Sequence, residues 1–418
     1  MTLAYLVGTG STAFQRWPDR GFRDLAAEAV RAVLTDAGLD DGSTVDCAAF
    51  GNCAMDTWGQ SNIRGQVALA PMLRDGTLPP RLPISNVEGG CVTGSLAFFD
   101  AWKSVLSGRA DLALAVGVEK VFHPNDPMKT FGVFAGGVDR MHPEEWQAFF
   151  AKQGARTGLP FEPHPARVMF LDVHALQARA HMRAHGTTPG HLAAIAAKNH
   201  VHGVANDKAQ YRVAMTPAQV LDDKPVIDPF TRSMCSPLSD GAAAVLVASA
   251  AWLATQPASV RDRAVAIRGG ALVGGTHRDL EDLAVAHHAA AAGLADAGIA
   301  PADIDVAEVH DSTAYCELVA TEALGLCAPG QGGPLAASGA TASTGATPVN
   351  PSGGLESKGH PLGATGLGML DELVTQLRGE GGPKQIARTP TIGVQQNAGG
   401  LVGYDEAMCS VVVLERRA

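Results

Sequence analysis

Residues 26–52 read AAEAVRAVLTDAGLDDGSTVDCAAFGN, and residues 288–311 read HAAAAGLADAGIAPADIDVAEVHD. Each stretch predicts an Ala-rich helix that ends in Leu-x-Asp-Ala-Gly, a short loop that contains Asp, and then a strand. The residues that match are Leu34, Asp36, Ala37 and Gly38 in the first stretch and Leu294, Asp296, Ala297 and Gly298 in the second. Self-similarity at a separation of about 260 to 270 residues indicates a duplicated unit.

A second pair of segments carries the same repeat. Thr93 opens an apolar helix that runs to Leu106, and a strand over residues 112–117 follows it. Thr365 opens a helix that runs to Leu377, and a strand over residues 391–394 follows it. Strands and helices in alternation predict a mainly parallel sheet with helices on its faces. Two such sheets, related by pseudosymmetry, are the simplest architecture.

The composition indicates a soluble globular enzyme of two or three domains. Of the 418 residues, 46% are apolar and 18% are charged. The formal net charge of −10 argues against a nucleic-acid partner, since phosphate binding needs clustered Lys and Arg. No segment has the length of a membrane span or the pattern of a signal peptide, so we expect a cytoplasmic protein.

The cysteine and histidine patterns predict no metal site. Seven cysteines are scattered along the chain without a C-x-x-C pair, which is typical of reduced thiols rather than a disulfide or zinc framework. Four histidines have spacings of ten, seven and four residues, which fit no compact ligand set. We expect solvated helix positions for these four, which are His164, His174, His181 and His185.

Cys91 is the most informative position, in the segment NVEGGCVTGS of residues 86–95. It lies between an extended segment and an apolar helix, where backbone N–H groups and the positive helix end lower the pKa of a thiol. Taken alone, a buried inert cysteine is an equally good interpretation. The small residues around it leave room for a ligand, however, and we predict that Cys91 is a nucleophile.

A nucleophilic thiol needs a base within hydrogen-bond reach, and two of the 14 histidines stand out by their context. His360 lies in GHPLGATG, residues 359–366, which opens the helix that the repeat pairs with the helix after Cys91. His310 follows a repeat strand, at the strand end where open α/β sheets place their ligands. If the two halves pack face to face, the helix starts bring Cys91 and His360 toward one centre.

These residues resemble a known family. The segments around Cys91, His310-Asp311, the 359–366 loop and the NAGG of residues 397–400 resemble the four active-site segments of thiolases, in particular the sterol-carrier-protein thiolase and acetyl-CoA acetyltransferase branch. The resemblance covers essentially the whole chain. It implies a duplicated thiolase-type α/β fold of two pseudosymmetric mixed sheets, with helices in a layered αβαβα arrangement and an inserted loop domain.

The implied domain boundaries follow the duplication. The N-terminal half covers residues 1–122, the inserted loop domain covers 123–231, the N-terminal half returns over 232–262, and the C-terminal half covers 263–418.

The resemblance also implies the roles of the site residues. Cys91 carries the acyl group, His360 activates Cys91, and His360 together with the His310 region binds the thioester oxygen. The backbone N–H groups of Cys91 and Gly399 form a second oxyanion hole. The supporting positions are Asp311, Ser312, Asn397 and Gly399.

The chain departs from the thiolase pattern at the second cysteine, which serves as acid and base in the Claisen step. The two positions where thiolases place this cysteine hold Ser312 and Asn397. A hydroxyl or an amide is a poor proton-transfer group at neutral pH. Cys316 lies four residues beyond Ser312, one helical turn away, and core packing is its expected role.

The sequence therefore favours an acyl-CoA acyltransferase that forms an acyl-enzyme on Cys91, with thiolysis or Claisen-type chemistry on a 3-ketoacyl-CoA. Two alternatives are a retro-aldolase for a β-hydroxyacyl-CoA such as a steroid side chain, and a non-catalytic acyl- or lipid-binding homologue. Coenzyme A is expected as substrate or product, with no tightly bound cofactor. The resemblance implies a homodimer or tetramer and allows a small zinc-ribbon/OB-fold partner subunit.

Overall fold

The structure is a computed structural model, which describes residues 4–158, 160–164 and 167–417. Within these ranges the chain forms eleven strands: β1 (Ala4–Ser11), β2 (Cys47–Gly51), β3 (Ile84–Val87), β4 (Leu112–Glu119), β5 (Pro225–Ile227), β6 (Phe230–Thr231), β7 (Gly241–Ser249), β8 (Val265–Gly274), β9 (Val306–Val309), β10 (Ile392–Gly399) and β11 (Met408–Arg416).

The same ranges contain fifteen α-helices: α1 (Phe22–Asp36), α2 (Arg64–Asp75), α3 (Thr93–Leu106), α4 (Pro127–Ala135), α5 (Pro143–Thr157), α6 (Met169–His185), α7 (Pro189–Val204), α8 (Pro217–Leu221), α9 (Ala250–Ala254), α10 (Ala258–Arg261), α11 (Val285–Ala297), α12 (Ala314–Ala323), α13 (Gly332–Ala337), α14 (Gly354–Lys358) and α15 (Leu362–Arg378). None of these helices combines the length and apolar character that crossing a bilayer requires.

Nine of the strands form one mixed sheet in the order β3-β2-β4-β7-β1-β8-β11-β10-β9. Strand β2 is parallel to β3 and β4, and β9 is parallel to β10, whereas the other neighbours in this order are antiparallel. The expectation of a mainly parallel sheet was therefore wrong. Helical crossovers join only part of the sheet, and β11 follows β10 through a short loop, which makes that pair antiparallel.

The strand pairing repeats between the two halves. The β4 strand is parallel to β2 and antiparallel to β7, which is antiparallel to β1. Strand β10 is likewise parallel to β9 and antiparallel to β11, which is antiparallel to β8. The equivalent strands β1 and β8 pair over Ala4, Tyr5 and Leu6 and so join the two half-sheets edge to edge. The duplication predicted from the sequence is confirmed.

Helices cover both faces of each half-sheet. The central layer is α3 and α15, whose Phe98 and Leu370 share a buried cluster with Val245 of β7 and Val412 of β11. Outer clusters cover the remaining faces, with α1 on the N-terminal half and α11 on the C-terminal half. This gives the αβαβα layering. It also places the starts of α3 and α15 side by side at the centre of the molecule, because the two helices pack on each other.

Residues 123–231, the predicted inserted loop domain, contain α4 to α8 and the separate hairpin of β5 and β6. Aromatic residues of this segment pack on the C-terminal half, where Phe150 of α5 packs edge-to-face on Tyr404 with ring centroids 5.7 Å apart. Strand β7 then returns to the N-terminal half-sheet. The boundaries at residues 122, 231 and 262 stay a prediction.

Candidate active site

Three side chains that the sequence singled out converge at the centre of the fold. Cys91 lies in a short 3-10 helix, Gly90–Val92, between β3 and α3. His310 directly follows β9, and His360 lies just before α15. The sulfur of Cys91 and one ring nitrogen from each histidine lie within 4.8 Å of one another, and all three residues are buried. The duplicated helix starts thus bring the cysteine and the histidine together as expected.

Burial controls the ionisation of Cys91, whose side chain is 6% exposed. The loss of solvation raises the pKa of this thiol to about 12. The sequence predicted the opposite direction, from the helix start, but that contribution is smaller than the cost of burying a thiolate. In the free protein Cys91 is a neutral thiol at pH 7, and attack by its sulfur needs a base.

His360 is fixed in the tautomer that a base requires. Thr365 Oγ1 donates its proton to the carbonyl oxygen of Pro361 at 3.0 Å, and it lies 2.8 Å from Nδ1 of His360. We assign the hydroxyl proton to Pro361, which makes Nδ1–H the donor to Thr365 and leaves the lone pair on Nε2. Burial lowers the pKa of His360 to about 3, so the ring is neutral at pH 7. Nε2 has no hydrogen-bond partner among the described residues, which leaves it available to accept a proton.

His310 is the second imidazole of the centre. Its ring centroid lies 5.1 Å from that of His360, with the planes inclined at 70°. Burial, followed by repulsion from His360 and His174, lowers its pKa well below the usual range. Its Nε2 is buried and has no hydrogen-bond partner within the described part of the chain. Two neutral imidazoles with unpaired Nε2 atoms therefore lie next to one thiol.

The end of β10 touches the backbone of Cys91. A Cβ atom on Gly399 would lie 2.4 Å from the backbone nitrogens of Cys91 and Val92, so only glycine fits. Gly90 has φ of +63°, and a Cβ there would lie 2.8 Å from the nitrogen of Gly400. Glycine on both sides lets the two backbone segments approach closely. The predicted oxyanion pair, Cys91 and Gly399, is therefore adjacent.

Of the remaining predicted positions, Asp311 and Asn397 support the site through hydrogen bonds, whereas Ser312 faces the same space as Cys91. The Asp311 carboxylate accepts hydrogen bonds from the backbone nitrogen of Leu355 at 2.7 Å and from Asn199 Nδ2 at 3.0 Å, in a buried network at the start of α14. Burial and the nearby Glu317 raise the pKa of Asp311. Through these hydrogen bonds Asp311 holds the segment that follows His310 in place.

The Asn397 side chain donates to the carbonyl oxygen of Cys91 at 3.3 Å and to Ser95 Oγ at 3.0 Å. It therefore supports the nucleophile's backbone. Ser312, by contrast, lines the same small chamber as Cys91.

Two connected spaces reach Cys91. A chamber of about 60 Å³ is lined by Cys91, His310, His360, Ser312, Gly399 and neighbouring residues, and we call it the inner chamber. A cleft of about 470 Å³, which we call the outer cleft, also includes Cys91 and extends past Arg64 and Phe134. Cys91 is thus exposed to a small enclosed space on one side and to a larger open one on the other.

The inner chamber contains two titratable groups that sequence reasoning missed, His174 and Glu406. His174 was expected to be solvated, and that expectation was wrong: the residue is 4% exposed. Burial lowers its pKa to about 4. The spacing between histidines says nothing about which helix face is buried. The helical period does not indicate it either, since every residue from 172 to 179 of α6 is buried, polar ones included.

Comparison with known proteins identifies the family. The model "Thiolase, N-terminal domain" matches residues 4–233, and "Thiolase C-terminal domain-like" matches residues 274–415. An acetyl-CoA acetyltransferase of Methanothermobacter thermautotrophicus is 33% identical over 403 residues, which are 95% of this chain and 96% of the relative. Human sterol carrier protein 2 is 35% identical over 409 residues, which are 94% of this chain and 69% of that protein.

Solved structures have the same fold. One is described as an Ltp2-ChsH2(DUF35) aldolase, with a TM-score of 0.77 at 22% identity over 100% of this chain and 99% of the other. Another is human mitochondrial 3-ketoacyl-CoA thiolase in complex with CoA, with a TM-score of 0.66 at 17% identity over 100% of this chain and 98% of the other. This chain therefore belongs to the thiolase family, in the branch that the sequence indicated, and it is an enzyme of the acyltransferase type.

Proposed function

We propose that the enzyme captures the acyl group of an acyl-CoA on Cys91 and uses it in thiolysis or Claisen-type chemistry on a 3-ketoacyl-CoA. The observation that carries the proposal is the buried cluster of Cys91, His310 and His360, with their ligand atoms within 4.8 Å. Coenzyme A is the substrate or product, and the outer cleft is wide enough to admit its extended arm beside Cys91. The volumes of about 470 and 60 Å³ fit a long thioester arm outside and a small acyl group inside.

The first half-reaction follows from the tautomer of His360. Its Nε2 takes the proton of Cys91, and the thiolate attacks the thioester carbon. The developing oxyanion is stabilised by His310 and His360 or by the backbone N–H groups of Cys91 and Gly399. Coenzyme A leaves and takes the proton from His360, and the acyl group stays on Cys91. In thiolysis, Cys91 attacks the 3-keto carbon instead, the C–C bond breaks, the α-carbon takes a proton and acetyl-CoA leaves, and free coenzyme A then takes the acyl group from Cys91.

Mass spectrometry of the intact protein tests the proposal. Incubation with acetyl-CoA is expected to add one acetyl group to the wild-type protein and none to Cys91→Ala. Peptide mapping then assigns the label. Acetylation of Cys91→Ala to the same extent as wild type would contradict the assignment of the nucleophile, and an unlabelled wild type would contradict acyl capture itself.

The two alternatives give different results in the same assay. Retro-aldol cleavage of a β-hydroxyacyl-CoA needs no acyl-enzyme, so Cys91→Ser would keep that activity. A non-catalytic homologue would bind acyl-CoA without labelling. The Nε2 atoms of His310 and His360, which lie beside the Cys91 thiol without hydrogen-bond partners among the described residues, favour acyl capture over both alternatives.

The assembly and the location are also proposals. We propose a homodimer or tetramer in the cytoplasm, with a small zinc-ribbon/OB-fold subunit as a further partner. Light scattering measures the oligomeric state. Co-purification with a small zinc-ribbon/OB-fold protein that is encoded beside this chain tests the partner subunit. The partner is motivated by the structural neighbour described as an Ltp2-ChsH2(DUF35) aldolase.

A further inference from the structure

Formation of the acyl-enzyme on Cys91 is only part of the proposed reaction, and the proton transfer at the α-carbon still has no residue assigned to it. To make or break a carbon–carbon bond next to a thioester, a proton must leave or join the α-carbon of the second acyl-CoA. Nε2 of His360 serves the thiol, and Ser312 offers only a hydroxyl. A further base must therefore face the inner chamber.

We propose that His174 is this second acid/base residue and that Glu406 is a positioning residue that stabilises its charged form. The assignment rests on the proposed function, because it supplies the proton-transfer step that acyl capture alone does not. His174 lies on α6, the helix of the inserted segment that forms one wall of the inner chamber, together with Phe170 and Leu171.

The contacts of His174 leave it free for this role. Among the described residues its polar contact is with Cys316, whose Sγ lies 3.6 Å from Nδ1 and 3.8 Å from Nε2. A thiol is a weak hydrogen-bond partner, so neither ring nitrogen is committed to a strong bond. The Phe170 ring packs edge-on at 6.4 Å and holds the imidazole in place. His174 thus combines burial, orientation and an available nitrogen in the space where the reacting carbon would lie.

Glu406 is the acidic group that faces the same space. It lies in the loop between β10 and β11 and lines the inner chamber and the smaller cavity behind it, which also contains Cys316 and Tyr315. Its own backbone N–H donates to its carboxylate, and no side-chain donor to it is found among the described residues, so the carboxylate can still interact with a charged imidazole. Burial is the larger influence on both groups, since it lowers the pKa of His174 to about 4 and raises the pKa of Glu406, and each group shifts the pKa of the other back toward its ordinary value.

Cys316 is the competing candidate for this step. Its Sγ contacts the hydroxyl groups of Thr313 at 3.3 Å and Ser312 at 3.5 Å. It lines the cavity behind the inner chamber rather than the chamber itself. Burial also raises its pKa to about 11, so it is a poor base at neutral pH. We therefore assign Cys316 to packing behind His174.

The step balances as follows in the direction of condensation. A nitrogen of His174 takes a proton from the α-carbon of acetyl-CoA, and the electron pair of the C–H bond becomes the enolate. The enolate carbon attacks the thioester carbon on Cys91, and the C–S bond breaks. The Cys91 thiolate leaves and accepts the proton that His174 had taken, which restores both groups and yields a 3-ketoacyl-CoA.

Hydrogen exchange separates this step from acyl capture. Acetyl-CoA is incubated with enzyme in D₂O, and mass spectrometry scores deuterium in its methyl group and acetyl on Cys91 in the same samples. His174→Gln is expected to lower exchange by about 100- to 10,000-fold while acetyl capture falls less than about tenfold. His185→Gln, at an exposed position of the same helix, is the matched control and should change neither quantity.

Glu406 and Cys316 have distinct expected results. Glu406→Gln should lower the maximal exchange rate by about tenfold without a change in the acetyl-CoA concentration that gives half of it, and Glu406→Asp should restore part of the loss. Cys316→Ala should lose less exchange than His174→Gln. A larger loss in Cys316→Ala would overturn the assignment and move the role to the thiol.

The remaining outcomes are also decisive. Wild-type exchange rates in a folded His174→Gln protein, verified by circular dichroism, would overturn the proposal. If that variant does not fold, Glu406→Gln carries the test, and unchanged exchange there would overturn it equally. Absence of acetyl on wild-type Cys91 would contradict the proposed function instead. Measuring exchange and Cys91 acetylation in the same samples therefore distinguishes the two failures.

Discussion

Thr365 Oγ1 lies 2.8 Å from Nδ1 of His360 and 3.0 Å from the carbonyl oxygen of Pro361, the acceptor to which we assign its proton. This contact determines which ring nitrogen can act as the base. Thr365 lies in the first turn of α15, and its back-bond to the helix start is typical of threonine. One residue that touches no substrate therefore prepares His360 for proton transfer from Cys91.

Thr365→Val keeps the shape of the side chain and removes the acceptor for Nδ1–H. We expect acetyl capture by Cys91 to slow by about 10- to 100-fold, since the buried N–H loses a partner worth about 1–3 kcal/mol and Nε2 is no longer held as the free base. Thr365→Ser is the matched control, because it keeps the hydroxyl, and it should retain most of the rate. Rapid-quench mass spectrometry measures both. Equal rates in the two variants would show that the tautomer is fixed in another way.

Gly399→Ala tests the contact between β10 and the nucleophile. The added Cβ would lie 2.4 Å from the nitrogens of Cys91 and Val92, so the backbone around the thiol must shift. We expect a loss of about 1–3 kcal/mol in the free energy of unfolding and a loss of about 100-fold or more in acetyl capture.

Gly274→Ala is the control for Gly399→Ala, since a Cβ there meets nothing within 4 Å. Urea unfolding and acetyl-labelling rates of both variants check the prediction. A Gly399→Ala protein with wild-type labelling would mean that the backbone around Cys91 accommodates the added Cβ without disturbing the site.

The centre of the site was predictable because it is built from the repeat. The equivalence of the helices that begin at Thr93 and Thr365 already placed Cys91 and His360 on one side of the molecule, and the packing of α3 on α15 brings this about. The glycines of residues 359–366 and 397–400 also indicated where backbone segments approach closely around the site.

The parts that could not be predicted depend on long-range burial. The direction of the pKa shift of Cys91 follows from how much chain covers the thiol, which a helix-start argument ignores. His174 and Glu406 join the chamber from the inserted segment and from the β10–β11 loop. Neither belongs to the repeat, and so no internal comparison could place them. The antiparallel strands do belong to the repeat, and they were missed because the alternation of helices and strands does not give the direction of each strand.

Alkylation of Cys91 by iodoacetamide is expected to rise with pH across the neutral range without a plateau. With a pKa of about 12, only about one thiol in 100,000 is ionised at pH 7, and each pH unit raises that fraction tenfold. A raised pKa means less thiolate at any given pH, so the rate below pH 8 should be lower than that of a free cysteine. Peptide mapping separates Cys91 from the other six thiols. A plateau near pH 7 would contradict the prediction.

Glu372 provides a stability test away from the site. It is buried in α15 and pairs with Lys358 at 2.9 Å and with Lys384. Burial opposes its ionisation, but the two lysines outweigh that cost and lower the pKa to about 2. Because the folded pKa lies below the unfolded value of 4.5, the stabilisation is fully present above about pH 5 and is lost as the pH falls toward 2.

Glu372→Gln should therefore lower the free energy of unfolding by about 3–5 kcal/mol at pH 7, since it leaves two buried ammonium groups without their partner. The difference from wild type should narrow as the pH falls from 5 toward 3, because wild type loses the same interaction. Glu380→Gln is the control: that carboxylate is 42% exposed and pairs with Arg263, so its loss should cost less than about 1 kcal/mol at every pH. Urea unfolding at several pH values measures both variants. A pH-independent cost for Glu372→Gln would show that packing, rather than charge, holds this end of α15.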